Sequence, residues 1–410
     1  MFKAYKYRIY PDAQQTELIN KTIGCTRFVY NTLLADCMKQ YKETGKSRIK
    51  TPASLKEEYR WLKEVDSLAL CNAQMNLNTA YSKFFKKQSQ FPEFHSKKNS
   101  RQSYTTNNVG GQVRIEKGKL RLPKTGLIKT VFHRYCYGKI KSVTVSKTKT
   151  GKYYASILTE QERPRIIKSD VHNRSIGIDM SFHGDFAVYS DGTKANFPNY
   201  YLESLKKLAY LNRKFSKTKA LSVNHEMARV RSARLYEKTA NQLKDWQEKE
   251  SLRLASNFDV VSVEDINMKN MAQMNHGRKV MNNGFGSFRT MLKRKTEEHL
   301  GTYVEVDKWF PSSQICSVCG FRNRITKDLS VINYTCPVCG TVHNRDVNAS
   351  KNIKLYGDVI AASANLTPEK SACGGCCKTC TRTHCVLVEA GSVDAGEIAG
   401  FKKLQAPSFR

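Results

Sequence analysis

Ser175-Ile-Gly-Ile-Asp-Met180 and Val260-Val-Ser-Val-Glu264 are short apolar runs, each ending in a carboxylate or one residue beyond it. Runs of this length, rich in β-branched residues, read as buried strands of a sheet covered on both faces. Asp179 and Glu264 stand at the carboxyl ends of those strands. A third acid, Asp346, lies in His343-Asn-Arg-Asp-Val-Asn348, where helical text begins. In a doubly wound sheet the carboxyl ends of neighbouring strands meet in one crevice. Acids far apart in the chain can converge there on hard cations. Singly, each has a structural reading. Asp179 can close a strand, Glu264 with Asp265 can form an N-cap region, and Asp346 can place negative charge at a helix N-terminus. Jointly they favour a site where two ions, about 3.5–4 Å apart, promote phosphodiester hydrolysis. Asp185, Asp191 and Asp265 are the decoys, and Asp191 belongs to an Asp-Gly turn.

Outward from these runs, the text predicts a strand over 186–190 and helical sequence over 203–257. A helix over 286–300, a strand over 302–306 and a helix over about 346–356 follow. Strands alternating with helices make this half an α/β domain. Beyond 360 the chain is rich in Gly, Ser, Ala and Cys without periodicity and is expected to be largely disordered. Between the second and third acids lies Cys316-x2-Cys319-x16-Cys336-x2-Cys339. Each Cys-x-x-Cys-Gly knuckle lets two thiolates reach one ion, and two knuckles close a tetrahedral structural zinc site. Four thiolates leave no open position for catalysis. His343 is an alternative donor, and the ribbon would fix the segment that leads to Asp346. The irregular group Cys373, Cys376, Cys377, Cys380, His384 and Cys385 could bind metal, although its surroundings favour adventitious thiols.

The first half reads differently. Residues 3–10 alternate, with Tyr5, Tyr7 and Ile9 on one face and Lys6 and Arg8 on the other. Pro11-Asp12 ends the strand and caps a helix that runs to about residue 43. Helical segments near 53–64 and 66–88, a basic loop over 91–101, and hairpins over 112–123 and 140–160 follow. The first 165 residues therefore form a β domain whose opening strand is separated from the rest by a helical insertion. Cys25, Cys37 and Cys71 fall on apolar helical faces and are expected in the core. Tyr104 to Asn108 is a polar patch, suited either to base edges or to a plain turn.

A chain of 410 residues with 40% apolar composition has room for two or three domains. Its 69 Lys+Arg against 36 Asp+Glu leave a formal charge of +33, which points to a polyanionic partner, nucleic acid before membrane. No apolar run is long enough to span a bilayer and the start lacks a signal-peptide core, so an intracellular protein without a membrane partner is expected. Thirteen cysteines arranged this way suit a reducing compartment. Lys206, Lys207, Arg213, Arg231 and their neighbours are dense enough to track phosphates, beyond an ordinary solvated face.

Seven motifs in order carry a resemblance: Gly24-Cys-Thr-Arg-Phe-Val-Tyr-Asn31, Phe91-Pro-Glu-Phe94, Gly177-Ile-Asp179, Ala240-Asn-Gln-Leu-Lys-Asp245, Val263-Glu-Asp-Ile-Asn267, Pro311-Ser-Ser-Gln-Ile-Cys316 and Asn344-Arg-Asp-Val-Asn-Ala349. Over roughly residues 1–358 the chain resembles the TnpB family, transposon-encoded RNA-guided nucleases related to type V CRISPR effectors. The resemblance implies a multidomain α+β and α/β protein. Residues 1–11 and 92–168 would form a β-barrel-like wedge domain and 12–91 a helical recognition insert. Residues 169–310 and 341–360 would form a RuvC-like (RNase H-like) nuclease domain, 311–340 its four-Cys zinc ribbon, and 361–410 a tail. It implies catalysis by Asp179, Glu264 and Asp346 with two Mg2+ ions (Mn2+ as a substitute), and one structural Zn2+. It further implies a guide RNA from the transposon end, double-stranded target DNA with its displaced strand, a monomer, and a prokaryotic cytoplasmic, nucleoid-associated location. Contacts to a short adjacent DNA motif would fall on Ser67, Cys71, Tyr104, Thr106 and Asn107. Lys6, Arg8, Arg27, Lys206, Lys207, Arg213, Arg231 and Arg345 would meet nucleic-acid backbone. Asn344 replaces an acid common in the family. A non-cleaving RNA-guided repressor and a transposase acting without a guide are the rival readings.

Overall fold

The computed structural model describes residues 1–98, 102–162, 174–181, 186–265, 283–328 and 330–365. Asp185 and the cysteines from 373 to 385 lie outside the described residues. The chain divides into two compact units, Met1–Arg165 and Ile166–Arg410. Among the described residues no helix is long and apolar enough to cross a membrane.

The first unit is built on an antiparallel sheet with order β2-β6-β7-β1-β5-β4-β3. Its strands are β1 (Phe2–Tyr10), β2 (Gln102–Asn107), β3 (Arg114–Glu116), β4 (Lys119–Leu122), β5 (Gly126–Val131), β6 (Lys139–Lys147) and β7 (Tyr153–Glu160). The opening strand is central, paired with β7 on one side and β5 on the other. Its alternation buries Tyr5, Tyr7 and Ile9 with Val143, Val145 and Ile157. The β3–β4 hairpin turns on Lys117 and Gly118, both left-handed, as a two-residue type I′ turn requires. Between β1 and β2 come α1 (Ala13–Thr44), α2 (Pro52–Glu58) and α3 (Ser67–Phe85). Asp12 caps α1 through a capping box with Gln15.

Two strands differ from expectation. β2 reads Gln-Ser-Tyr-Thr-Thr-Asn, too polar to signal a strand, yet β6 supplies its ladder along the whole length. β5 is interrupted by Lys129 and is recruited by β1 and β4. Cys71 is a correction: it is exposed, while Cys25 and Cys37 are buried. The buried stripe of α3 is Ala69, Leu70, Ala73 and Leu77, and Cys71, one residue past Leu70, is rotated off it.

The second unit holds a sheet of order β11-β10-β8-β9. These are β8 (Ser175–Met180), β9 (Ala187–Tyr189), β10 (Val260–Glu264) and β11 (Thr302–Val306). β8, β10 and β11 run parallel, and β9 is antiparallel to β8. The predicted helical stretch 203–257 is two helices, α4 (Tyr200–Ser216) and α5 (Val223–Asn257). The chain bends between them at Leu221, which has a φ of 68°. α6 (Phe285–Glu298) and α7 (Arg345–Asn365) complete the unit. α7 runs past the expected end near 356, so residues 361–365 belong to a helix rather than the tail. Ala361 is still buried there.

The pleat divides the sheet into two faces. Ile176, Ile178, Val261 and Val263 join Leu254, Phe285, Phe288 and Leu292 in one core with α5 and α6. The alternate residues Gly177, Asp179, Ser262 and Glu264 therefore face the other way. α7 covers that face, and two glycines let it approach. A Cβ on Gly177 would drive into the backbone of Ser350 and Lys354, and one on Gly357 into Ser262. The first turn of α7 carries Asp346.

Candidate functional site

Val263 lies opposite Ile178 in the parallel ladder, so Asp179 and Glu264 occupy the next level together, at the carboxyl ends of adjacent strands. Asp346 joins them from the first turn of the helix on the same face. All three are half-buried, a crevice rather than a sealed core. Protein crowds the carboxyl of Asp179, and that burial raises its pKa well above the ordinary value. The negative charges of Glu264 and Asp346 raise it further, against an opposing pull from Arg345. Burial likewise raises Glu264, with Arg289 opposing and Asp265 adding to the shift. The charges of Glu264 and Asp346 thus both bear on the carboxyl of Asp179.

The acids do not form a single-ion cage. Among the described residues, the only group whose ligand atoms all lie within 4.8 Å of one another is the four cysteines. Oxygens shared between two ions need not meet that limit: with metal–oxygen bonds of about 2.1 Å and ions about 4 Å apart, ligands at opposite ends can stand about 8 Å apart.

The thiol cluster is tighter. Cys316 and Cys339 sulfurs are 3.7 Å apart, and those of Cys319 and Cys336 are 3.6 Å apart. A tetrahedron of zinc–sulfur bonds of about 2.3 Å has edges near 3.8 Å, so the residues fit the ion. Each knuckle turns on a left-handed glycine, Gly320 or Gly340, and β12 (Asn333–Thr335) pairs with β13 (Val342–Asn344) behind them. Burial pushes the Cys319 thiol up to about 12, whereas hydrogen bonding with Thr341 holds Cys339 down at about 6. His343 is buried with Nε2 3.0 Å from Cys316 Sγ, in reach of the cluster without being needed to complete it.

Residues that sequence reasoning missed join the two sites. Asn348 accepts from the Ser317 N–H (2.8 Å) and donates to the Ile315 carbonyl (2.6 Å). Asn352 donates to the carbonyls of Ser312 (2.7 Å) and Ile315 (2.6 Å). Both stand on α7, so the segment entering the ribbon is clipped to the helix that carries Asp346. Asn344 caps α7 by accepting from the Val347 N–H (3.2 Å). Arg289 pairs with Asp265 (2.9 Å) and Glu305 (3.4 Å) beside Glu264. Its helical spacing from Phe285 and Phe288 was the available signal, but a lone arginine on a helix ordinarily reads as solvated.

The expected nucleic-acid contacts scatter in environment. Lys6, Lys206, Lys207, Arg213, Arg231, Ser67 and Cys71 are exposed, and Asn107, Arg27 and Arg345 half-buried. Arg8 lies over the rings of Tyr10 and Tyr154. Tyr104 and Thr106 are buried rather than exposed. Strand alternation in β2 turns both inward, and Thr106 is completely buried.

Three family models match: "Helix-turn-helix domain" over residues 1–46, "Probable transposase" over 156–275 and "Cas12f1-like, TNB domain" over 285–353. Within 1–46 the structure has β1 followed by one unbroken helix. Two curated relatives span most of the chain. A provisionally named RNA-guided DNA endonuclease of Streptomyces pristinaespiralis is 31% identical over 88% of this chain and 90% of its own length. The similarly named InsQ of Escherichia coli (strain K12) is 29% identical over 89% and 94%. Among solved structures, the mini-RNA-guided endonuclease CRISPR-Cas_phi3 aligns with a TM-score of 0.39 at 10% identity, over 86% of this chain and 92% of that one, a likeness too slight to carry weight.

Proposed function

The chain belongs to the TnpB family, and from that membership we propose that it is an RNA-guided DNA endonuclease of a transposon. A guide RNA pairs with one strand of the target beside a short adjacent motif, and the acid cluster of the second unit hydrolyses the exposed backbone. The observation that carries this reading is the pairing of Asp179 and Glu264 on adjacent strand ends, under the helix that brings Asp346. In this reading the first unit supplies the wedge and recognition domains, and residues 311–340 are a zinc ribbon on the nuclease domain.

Three half-buried carboxylates, two of them bearing on the charge of Asp179, are a donor set suited to Mg2+. Bound there, divalent cations lower the pKa of water and neutralise charge on the phosphate. The chain's own contribution is positional. The sheet fixes Asp179 and Glu264 at one level, α7 and its ribbon clips fix Asp346, and Arg345 and Arg289 temper the negative field. Crowding around Asp179 favours its protonated form, so a cation bound there would displace a proton as well as water.

Purified protein carrying its guide RNA should cut matched DNA with Mg2+ and leave it intact in excess chelator. Binding of matched DNA without cutting, across Mg2+ and Mn2+, would instead identify a repressor. The family description "Probable transposase" favours a second reading, a guide-free strand-transfer enzyme. Full activity after nuclease removal of the RNA would select it.

A further inference from the structure

A cavity of about 360 Å³ opens in the first unit among α1, α3, β2 and the segment around His95. The acid and thiol clusters belong to the other unit. Ile23, Ala69, Ala73 and Tyr104 give it a buried apolar lining. Ala69 and Ala73, one turn apart on α3, leave the room. The polar lining is Arg27, Asn72, Asn76, His95 and Ser103, each with some solvent exposure.

Two features make this a prepared site rather than a seam between helices and sheet. The rings of Tyr30 and His95 lie 4.0 Å apart and within 4° of parallel, a flat wall at one side. Asn31 locks that wall, donating to the His95 carbonyl (2.9 Å) and accepting from its N–H (2.8 Å). Partial burial of the ring and the nearby Arg27 charge shift His95 below the ordinary imidazole value, which favours the neutral form, one nitrogen of which can accept a hydrogen bond. Arg27 has no carboxylate partner among the described residues, although the cavity removes part of its hydration.

The volume lies within the range of small-ligand pockets. A fixed cation suits phosphate, a planar aromatic wall suits stacking, and paired amides suit the edge of a base. We infer that this cavity takes up one unstacked nucleotide, with Arg27 on its phosphate, the Tyr30–His95 wall against its base, and Asn72 and Asn76 on the base edge. The inference rests on the proposed RNA and DNA partners. Guide RNA and target DNA are the two sources of that nucleotide.

The test uses the full chain, with Asp179→Asn to separate binding from cutting. Guide-RNA affinity is measured first, then target-DNA affinity at saturating RNA, for Arg27→Ala, Arg27→Lys and the Asn72→Leu/Asn76→Leu pair. Circular dichroism melts confirm that each variant folds. Arg27→Ala should weaken one of the two affinities about tenfold and lower its salt slope by about one, with partial recovery in Arg27→Lys. The asparagine pair should abolish base preference at a single position when that nucleic acid is substituted base by base. Loss confined to RNA affinity names the guide as source, and loss confined to DNA affinity names the target. Folded variants that bind both as before, or weaken binding with every base preference intact, overturn the inference. Failure of the parent protein to bind RNA or DNA would count against the proposed function instead.

Discussion

The thiol cluster and the proposed acid site of the second unit are assembled by opposite means. The four thiols come from two knuckles in one stretch of chain, and their sulfurs already stand at tetrahedral spacing. The three carboxylates come from two strands and a helix, half-buried, with the charges of Glu264 and Asp346 bearing on Asp179, and they do not close around one point. A structural site gains by being closed and local, because nothing needs to enter or leave. A hydrolytic site must stay open and keep its charges underpaired until substrate and cations arrive. The asparagine clips of α7 join the two, so rigidity in the first is available to the second.

Asp179→Asn breaks the comparison most sharply. Cutting of matched DNA should fall about 10³-fold or more, since charge stabilisation by held cations is worth several kcal/mol. Zinc content should stay at one per chain by elemental analysis. In chelator the variant should melt higher than the parent, by about 0.5–2 kcal/mol of stability, because a crowded charge has been removed. A variant that still cuts would falsify the assignment of Asp179.

Cys336→Ser attacks the other site. Zinc should be lost, and cutting should drop about 10–100-fold because Asp346 loses its external support. Limited proteolysis should now cleave within 312–344. Undiminished cutting by a zinc-free variant would show that the clips alone hold α7.

Gly177→Val tests the close approach on which the acid site depends. Its side chain would meet the Ser350 and Lys354 backbone, so α7 must lift away, costing about 1–3 kcal/mol. A lowered melting temperature with slower cutting is expected while zinc remains bound.

This difference between the sites also decides what the sequence revealed. The thiol cluster was legible because its spacing is its geometry. Asp179 and Glu264 were legible as strand ends, and Asp346 as a helix start. Their convergence required the pleat, the parallel register and Gly177, of which only a strand pattern is written locally. The clips at Asn348 and Asn352 were not legible, since an asparagine in a helix shows no partner until the ribbon folds beside it. β2 was missed for a related reason: its polar residues are held by the ladder from β6, a tertiary influence that overrides propensity. Tyr104 and Thr106 looked available for the same reason and turned inward once that strand formed.

A smaller effect follows from proton linkage. Asp179 and Glu264 hold protons more tightly in the folded chain, so their stabilising contribution is complete below the ordinary carboxylate range and fades as pH rises through their raised values. Divalent cations oppose this by favouring the ionised forms. The melting temperature gained on adding Mg2+ should therefore grow between about pH 5 and pH 8. In Asp179→Asn that gain should be smaller and flatter with pH. A gain independent of pH in the parent would separate Mg2+ binding from these two acids.

The smallest expected effect lies where the two sites meet. Asn344 ends β13, caps α7 through its Oδ1, and donates from Nδ2 to Asn333 Oδ1 (3.2 Å). Asn344→Asp keeps the cap, since aspartate is as good an N-cap as asparagine and its charge suits a helix N-terminus. It loses the exposed bond to Asn333, so stability should change by less than about 0.5 kcal/mol. The added charge sits two residues before Asp346 and should increase the pull on cations, lowering the Mg2+ concentration for half-maximal cutting about two- to fivefold, of the order expected from one partly solvated charge. Titrating Mg2+ against the initial rate checks this. An unchanged Mg2+ requirement would place Asn344 with the ribbon, as a cap alone, and draw the boundary between the two sites at Arg345.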